Sequence, residues 1–281
     1  MDPLVISLVL ASAVMHAVWN ALIKMGDDRL MAMALIMGGT TLLAPVLLLF
    51  GPPPAPASWK FLALSVLLNN AYFFLLIEAY RHGDLSHAYP LARGSAPILV
   101  AVGSVLFAGE HLTVTELSGV IIVSVGIMSL VAASGFRLQG GWRALFYPLA
   151  TGAMIASYTV SDAIGVRLSG SPLAYIGWML MLFAIPIVTV TVILRRGRLL
   201  TFLRAQGKTA AGAVLLNFGS YGIAIFALSL GAMAPVSALR ETSVIFAALI
   251  GTLVLKEPFG RARIVAACTV AAGVVVMNLG R

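Results

Sequence analysis

Charge is what this sequence has least of. Only 10% of its 281 residues are Asp, Glu, Lys or Arg, whereas 60% are hydrophobic, and the mean hydropathy is +1.03. A soluble domain is about 25% charged, so 28 charged side chains cannot clothe a water-exposed surface of this size. A soluble enzyme is excluded on that ground. Cysteine is nearly absent too: the single Cys268 excludes an internal disulfide and any cysteine-cluster metal site. No H-E-x-x-H, P-loop or G-x-S-x-G pattern occurs. Asp27-Asp28 is the only acidic doublet, too little to cradle a magnesium ion for phosphoryl chemistry. No cofactor or metal is therefore expected. The net charge of +8 does not point to nucleic acid. Lys and Arg in short loops that orient a chain against a bilayer account for it. The first apolar run follows Met1-Asp2-Pro3, with no basic start, and continues to about Lys24. It is read as a retained helix rather than a signal peptide.

Long apolar runs are what the chain has in abundance. A spanning helix needs roughly 20 mainly apolar residues. Ten such runs are found, over about 3–24, 29–50, 60–80, 85–107, 113–133, 143–166, 172–194, 208–230, 233–254 and 260–279. Gly51-Pro52-Pro53-Pro54, Gly140-Gly141, Ser169-Gly170-Ser171-Pro172 and Glu257-Pro258 punctuate them. The longest gap, about Arg195 to Gly207, reads as a basic loop. The runs are continuously apolar rather than alternating, which favours helices over a membrane barrel. Thirteen of the eighteen Lys and Arg fall after helices 1, 3, 5, 7 and 9, and three fall on the opposite side. The positive-inside rule then predicts both termini outside the cytoplasm of a multi-pass protein of the inner (plasma) membrane.

The two halves echo each other. Arg93 and Arg240, Glu110 and Glu257, and Gly126 and Gly273 are each 147 residues apart. Five helices per half is an odd number, so the halves enter the membrane from opposite sides. The expected fold is all-α integral membrane, with ten transmembrane helices in two inverted five-helix repeats. The repeats are residues 1–133 and 143–281, joined by a connecting loop over 134–142. Inverted repeats are a transporter signature, with the substrate held between them near the midplane.

Gly109-Glu110 closes the fourth helix and Lys256-Glu257-Pro258 closes its counterpart. With the stretches YPLARGSAP (Tyr89 to Pro97) and HAVWNALIK (His16 to Lys24), they resemble the EamA family of the drug/metabolite transporter superfamily. The resemblance covers essentially the whole chain. It implies the transporter fold and a metabolite cargo; amino-acid exporters are among the family, and relatives carry nucleotide sugars or triose phosphates. It brings no universal catalytic residue.

Polar groups inside spans are costly and mark partners or a pathway. Several stand at i, i+4 spacing and share a face: His16 and Asn20 with Trp19 beside them, Tyr89 and Arg93, Tyr158 and Asp162, and Asn217 and Tyr221. Helix 3 offers Asn69, Asn70 and Tyr72, and helix 9 offers Ser237, Arg240 and Glu241. Arg93 lies about eight residues, or about 12 Å, into helix 4. Arg240 reaches a similar depth from the other face. The candidate substrate-binding set is His16, Trp19, Asn20, Asn69, Asn70, Tyr89, Arg93, Tyr158, Asn217, Tyr221, Arg240 and Glu241. In this reading Arg93 takes an anionic group, Glu241 takes an amine or neutralises Arg240, and His16 is a candidate proton carrier. Each also has a purely structural alternative. Asp162 is expected at the membrane interface, paired with Arg167, and Glu78 in a surface pair with Arg81. Trp59 and Trp142 are expected as interfacial anchors, and Pro90 and Pro97, flanking Arg93, as the favoured kinks. Small residues in helix 10 suggest close packing.

The expected function is export of small polar metabolites, amino acids first, by alternating access. The rivals are a phosphorylated or phosphonate anion or a lipid-linked sugar as cargo, an integral-membrane enzyme, or an accessory protein. The partners expected are a small-molecule substrate and the lipid bilayer, with no obligate protein partner.

Overall fold

The computed structural model describes residues 1–24, 28–133, 141–195, 197–253 and 260–279. These residues are helical throughout, without strands. The helices are α1 (Pro3–Lys24), α2 (Arg29–Leu43), α3 (Pro56–His82), α4 (Leu85–Ala108), α5 (Val114–Ala133), α6 (Arg143–Leu168), α7 (Pro172–Phe183), α8 (Ile185–Arg195), α9 (Arg198–Leu230), α10 (Met233–Arg240), α11 (Ser243–Leu253) and α12 (Arg261–Asn278). A 3-10 segment, Ala44–Phe50, continues α2. Ten candidate membrane spans result, and their boundaries follow the ten apolar runs closely.

Three spans are built from two pieces. The second passes from α2 into its 3-10 segment at Pro45, and the seventh breaks at Ala184, just before Pro186. Both prolines lack the N–H that a continuing helix needs. The ninth breaks at Glu241–Thr242 with no proline. There the N–H groups of Glu241 and Thr242 turn back to Ala238 and Leu239, a tightened 3-10 turn that satisfies the backbone locally. The kinks favoured at Pro90 and Pro97 are not breaks. α4 runs through both, because each proline forfeits a single N–H bond and the helix is held on both sides by α5 and α6.

One correction concerns the basic stretch. α9 starts at Arg198 rather than near 208, so most of the expected loop is helix. Phe202 in that turn packs near Leu22, Ile23 and Ile36, which gives the extension an apolar side to bury.

Neighbour relations run in parallel through the two halves. α3 and α4 pack on α6, α9 and α11 pack on α1, and α5 packs on α12. The last contact is close because glycines face each other: a Cβ on Gly119 would stand 2.6 Å from the Gly273 carbonyl oxygen. Ser12 and Ser220 clamp α1 to α9 by donating to each other's carbonyls, at 2.7 and 3.0 Å.

The two ends of the bundle are tied differently. At one, Glu110 pairs with Arg167 (2.8 Å) and accepts the Met233 N–H at the start of α10 (3.0 Å). Arg167 also donates to the Leu228 and Gly231 carbonyls. At the other, Asp28 caps α2 through the Leu30 and Met31 N–H groups and meets Arg195 Nε at 3.1 Å. The Met31 N–H first, then Arg195, holds the Asp28 carboxyl below the usual carboxylate range. Arg81 pairs with Glu78 at the surface as expected (2.7 Å). Trp59 and Trp142 are exposed near span starts, and Trp178 packs against Trp59 at 5.2 Å. Glu257 and residues 134–140 of the 134–142 connection lie outside the described residues.

Candidate functional site

The polar side chains expected inside the bilayer converge where α1, α3, α4, α6, α9 and the break in the ninth span meet. Arg93, from α4, is buried and places Nε 2.9 Å from Oε2 of Glu241. Its Nη2 points to Ser243 Oγ at 3.5 Å, and the Tyr89 ring lies 6.0 Å from its guanidinium carbon. Glu241 is presented by the turn that breaks the ninth span, and only 3% of it is exposed. The acid next to Arg240 in sequence therefore serves the arginine of the other half. Adjacent helical residues point about 100° apart, and this rotation takes Glu241 towards α4.

Arg240 has no carboxylate oxygen at ion-pair distance among the described residues. Its guanidinium carbon lies 5.0 Å above the Tyr221 ring. Tyr221 also meets His16 (6.3 Å) and Phe183 (5.7 Å), and His16 meets Trp19 edge-on at 5.2 Å. Tyr72 and Tyr158 close another side, 6.1 Å apart. Arg93 and Arg240 both act electrostatically on His16 and on Tyr158.

Three buried donor atoms in this cluster lack a hydrogen-bond partner, Trp19 Nε1, Arg93 Nε and Arg240 Nε, as do His16 Nδ1, whose role depends on the tautomer, and the acceptor Glu241 Oε2. Arg93 Nε is close to Glu241 but off the N–H axis, so that contact is ionic rather than a linear hydrogen bond. Buried polar groups are paired in more than nine cases in ten. Unpaired polar atoms gathered in one cluster mark a place that a polar partner fits.

The asparagines stand apart. Asn217 is fully buried, with its oxygen accepting from Thr40 Oγ1 at 3.0 Å; it joins α9 to α2. Asn69 donates to Ser65, and Asn70 to the Val66 carbonyl, within α3. Asn20 is exposed and donates to the His16 carbonyl one turn back. Apart from Asn217 Nδ2, which lacks a hydrogen-bond partner, these amides are spent on helices, whereas the rings and cations gather. Asn20 and Tyr89 are the accessible members. They sit near the end of α1 and the start of α4, on the same side of the bundle.

Asp162 differs from expectation. It is buried, accepts from Tyr175 Oη at 3.1 Å and engages Ser65, while Arg167 pairs with Glu110. The i+5 position of Arg167 lies about 140° around the helix from Asp162, which separates the two. Arg93, expected to take an anionic group, stands here in an ion pair with Glu241. Phe183 and Ser243 join the site without a sequence signal: Phe183 sits in a uniformly apolar run, and a serine in a span is commonplace. Tyr72 was legible as a polar residue of helix 3, and its pairing with Tyr158 was not.

Comparisons with known proteins agree with this architecture. The model of the EamA-like transporter family matches residues 3–132. An uncharacterized transporter encoded in the cobO 3' region of a Sinorhizobium species is 36% identical over 73 residues, 26% of this chain and 51% of that protein. The match thus spans about half the length of that curated relative. A solved crystal structure superposes with a TM-score of 0.72 over 98% of this chain and 96% of its own, at 15% identity, a likeness of fold. The chain is a multi-pass membrane protein whose residues 3–132 match the model of the EamA-like transporter family.

Proposed function

We propose that this protein is a secondary transporter or facilitator of small polar organic metabolites. It works as an exporter by alternating access, with its site between two inverted five-helix repeats. One observation carries the reading: the ninth span breaks in mid-course and presents Arg240 and Glu241 beside Arg93, amid buried donors that lack partners. Discontinuous helices at a midplane site are a recurrent device of such transporters. The parallel neighbour relations of the two halves support the repeat. Access from one end supports alternation: Asn20 and Tyr89 are accessible there, while the Glu110–Arg167 tie fastens the other end.

The test is solute exchange in proteoliposomes loaded with pooled radiolabelled metabolites, amino acids and organic anions included. Saturable exchange above protein-free vesicles is the expected result. Flux equal to empty vesicles for every solute class would overturn the reading. Chemical turnover of a solute in detergent, where no second compartment exists, would make the protein an enzyme instead.

A further inference from the structure

We infer that the central site takes a small organic anion, with Arg240 gripping its carboxylate or phosphonate head and the tyrosine rings receiving its body. The inference rests on the transporter reading only for its biological use; the site is argued from its own chemistry. Of the two arginines, Arg93 has its counter-ion in place at 2.9 Å. Arg240 has the face of Tyr221 and no acid at ion-pair distance among the described residues. Asp162 lies within its electrostatic reach, but its oxygens are engaged by Tyr175 and Ser65.

Arg240 Nε and Trp19 Nε1, unpaired on this side of the site, are both donors. The guanidinium offers a planar fork suited to a two-oxygen head. Trp19 Nε1 can only donate, and His16 Nδ1 sits one ring away from Tyr221. An ammonium group would meet the reverse situation. Glu241, the carboxylate presented at the break, is 3% exposed and already paired with Arg93. A zwitterion would therefore leave its ammonium without a partner, at the cost of an unpaired buried charge. This turns the cargo order around: anions, phosphonates included, come before amino acids. Arg240 and Tyr221 are half-buried rather than sealed, so the fork is reachable.

The experiment uses the purified full chain in detergent and probes that share one ring: benzoate, phenylphosphonate, benzamide, benzylamine and phenylglycine. Thermal shift gives each apparent Kd. At least one of the two anions is expected to bind about tenfold or more tightly than the amide, amine and zwitterion, the scale of one charge-assisted contact. Which anion leads separates a carboxylate site from a phosphonate site. In Arg240→Gln the preference disappears, and in Arg240→Lys, which keeps charge without the fork, part of it returns. Phenylglycine or benzylamine binding as tightly as the anions overturns the inference, as does an anion preference unchanged in Arg240→Gln. If Arg240→Gln does not fold, the probe order in the parent decides alone, and no response to either anion at about 10 mM overturns it. Vesicle flux is read separately. Anion binding without flux sinks the transporter and leaves the site standing, whereas amino-acid flux without anion binding does the opposite.

Discussion

Arg93 and Arg240 occupy matching places in the two halves, 147 residues apart, yet their surroundings are opposite. Arg93 is buried against a carboxylate, and Arg240 is half-buried against an aromatic face. The residue that follows each arginine decides this. After Arg240 comes Glu241, set in a break of the helix; after Arg93 comes Gly94, in an unbroken α4. A Cβ at Gly94 would stand 2.5 Å from Met128 Cγ and 3.0 Å from the Ser124 carbonyl oxygen. No acid fits there, so one carboxylate is available to two arginines and the first half captures it. Two arginines 147 residues apart thus differ, one paired and one open.

The largest effect should come from breaking the captured pair. Arg93→Gln or Glu241→Gln leaves a buried charge alone, which costs about 3–5 kcal/mol. We expect a marked drop in Tm or in yield of folded protein. A double replacement, Arg93→Met with Glu241→Leu, should recover much of the loss. A double mutant as unstable as the sum of the singles would show the pair to be uncoupled.

Gly94→Ala tests why the halves diverged. The added methyl group meets backbone, so destabilisation of about 1–3 kcal/mol is expected, read as a lowered Tm. An unchanged Tm would remove the steric account. Glu110→Gln asks whether a tie at the end of the bundle matters as much as one at its centre. Arg167 and Glu110 are partly exposed, and a loss of about 1–2 kcal/mol follows from the charged hydrogen bonds.

Asp28→Asn removes a charge at the opposite end, with a cost near 1 kcal/mol or less. The sign with pH is set by the lowered carboxyl value. The stabilisation is complete above the unfolded value, about 4, and is lost as pH falls through the lower folded one. Parent and variant should therefore converge in Tm under acid. A gap that persists at low pH would remove the ionic account. The smallest effect belongs to Arg240→Gln, which breaks no ion pair and should stay within about 1 kcal/mol of the parent. A loss as large as that of Arg93→Gln would erase the comparison.

Much of the fold was legible in composition and run length. Ten apolar stretches bounded by Gly and Pro gave ten spans, because a bilayer demands about 20 apolar residues and satisfies no backbone group itself. Helical spacing also brought out Arg93, Tyr158, Tyr221, Arg240 and Glu241, which do converge. Nearness along the chain pairs Asp162 with Arg167, which the structure overturns, and it leaves Glu241 open between an amine, Arg240 and a structural partner. The partners found are Tyr175 and Ser65 for Asp162, and Arg93 for Glu241.

The sequence by itself determined the helical class and the number of spans, since these follow from transfer of side chains between water and hydrocarbon. Only the tertiary structure decided which deep charges pair and which donors stay open. Pairing is set by rotation about each helix axis and by the break at Glu241–Thr242. Contacts between residues about 150 positions apart fix both, and no local pattern encodes them.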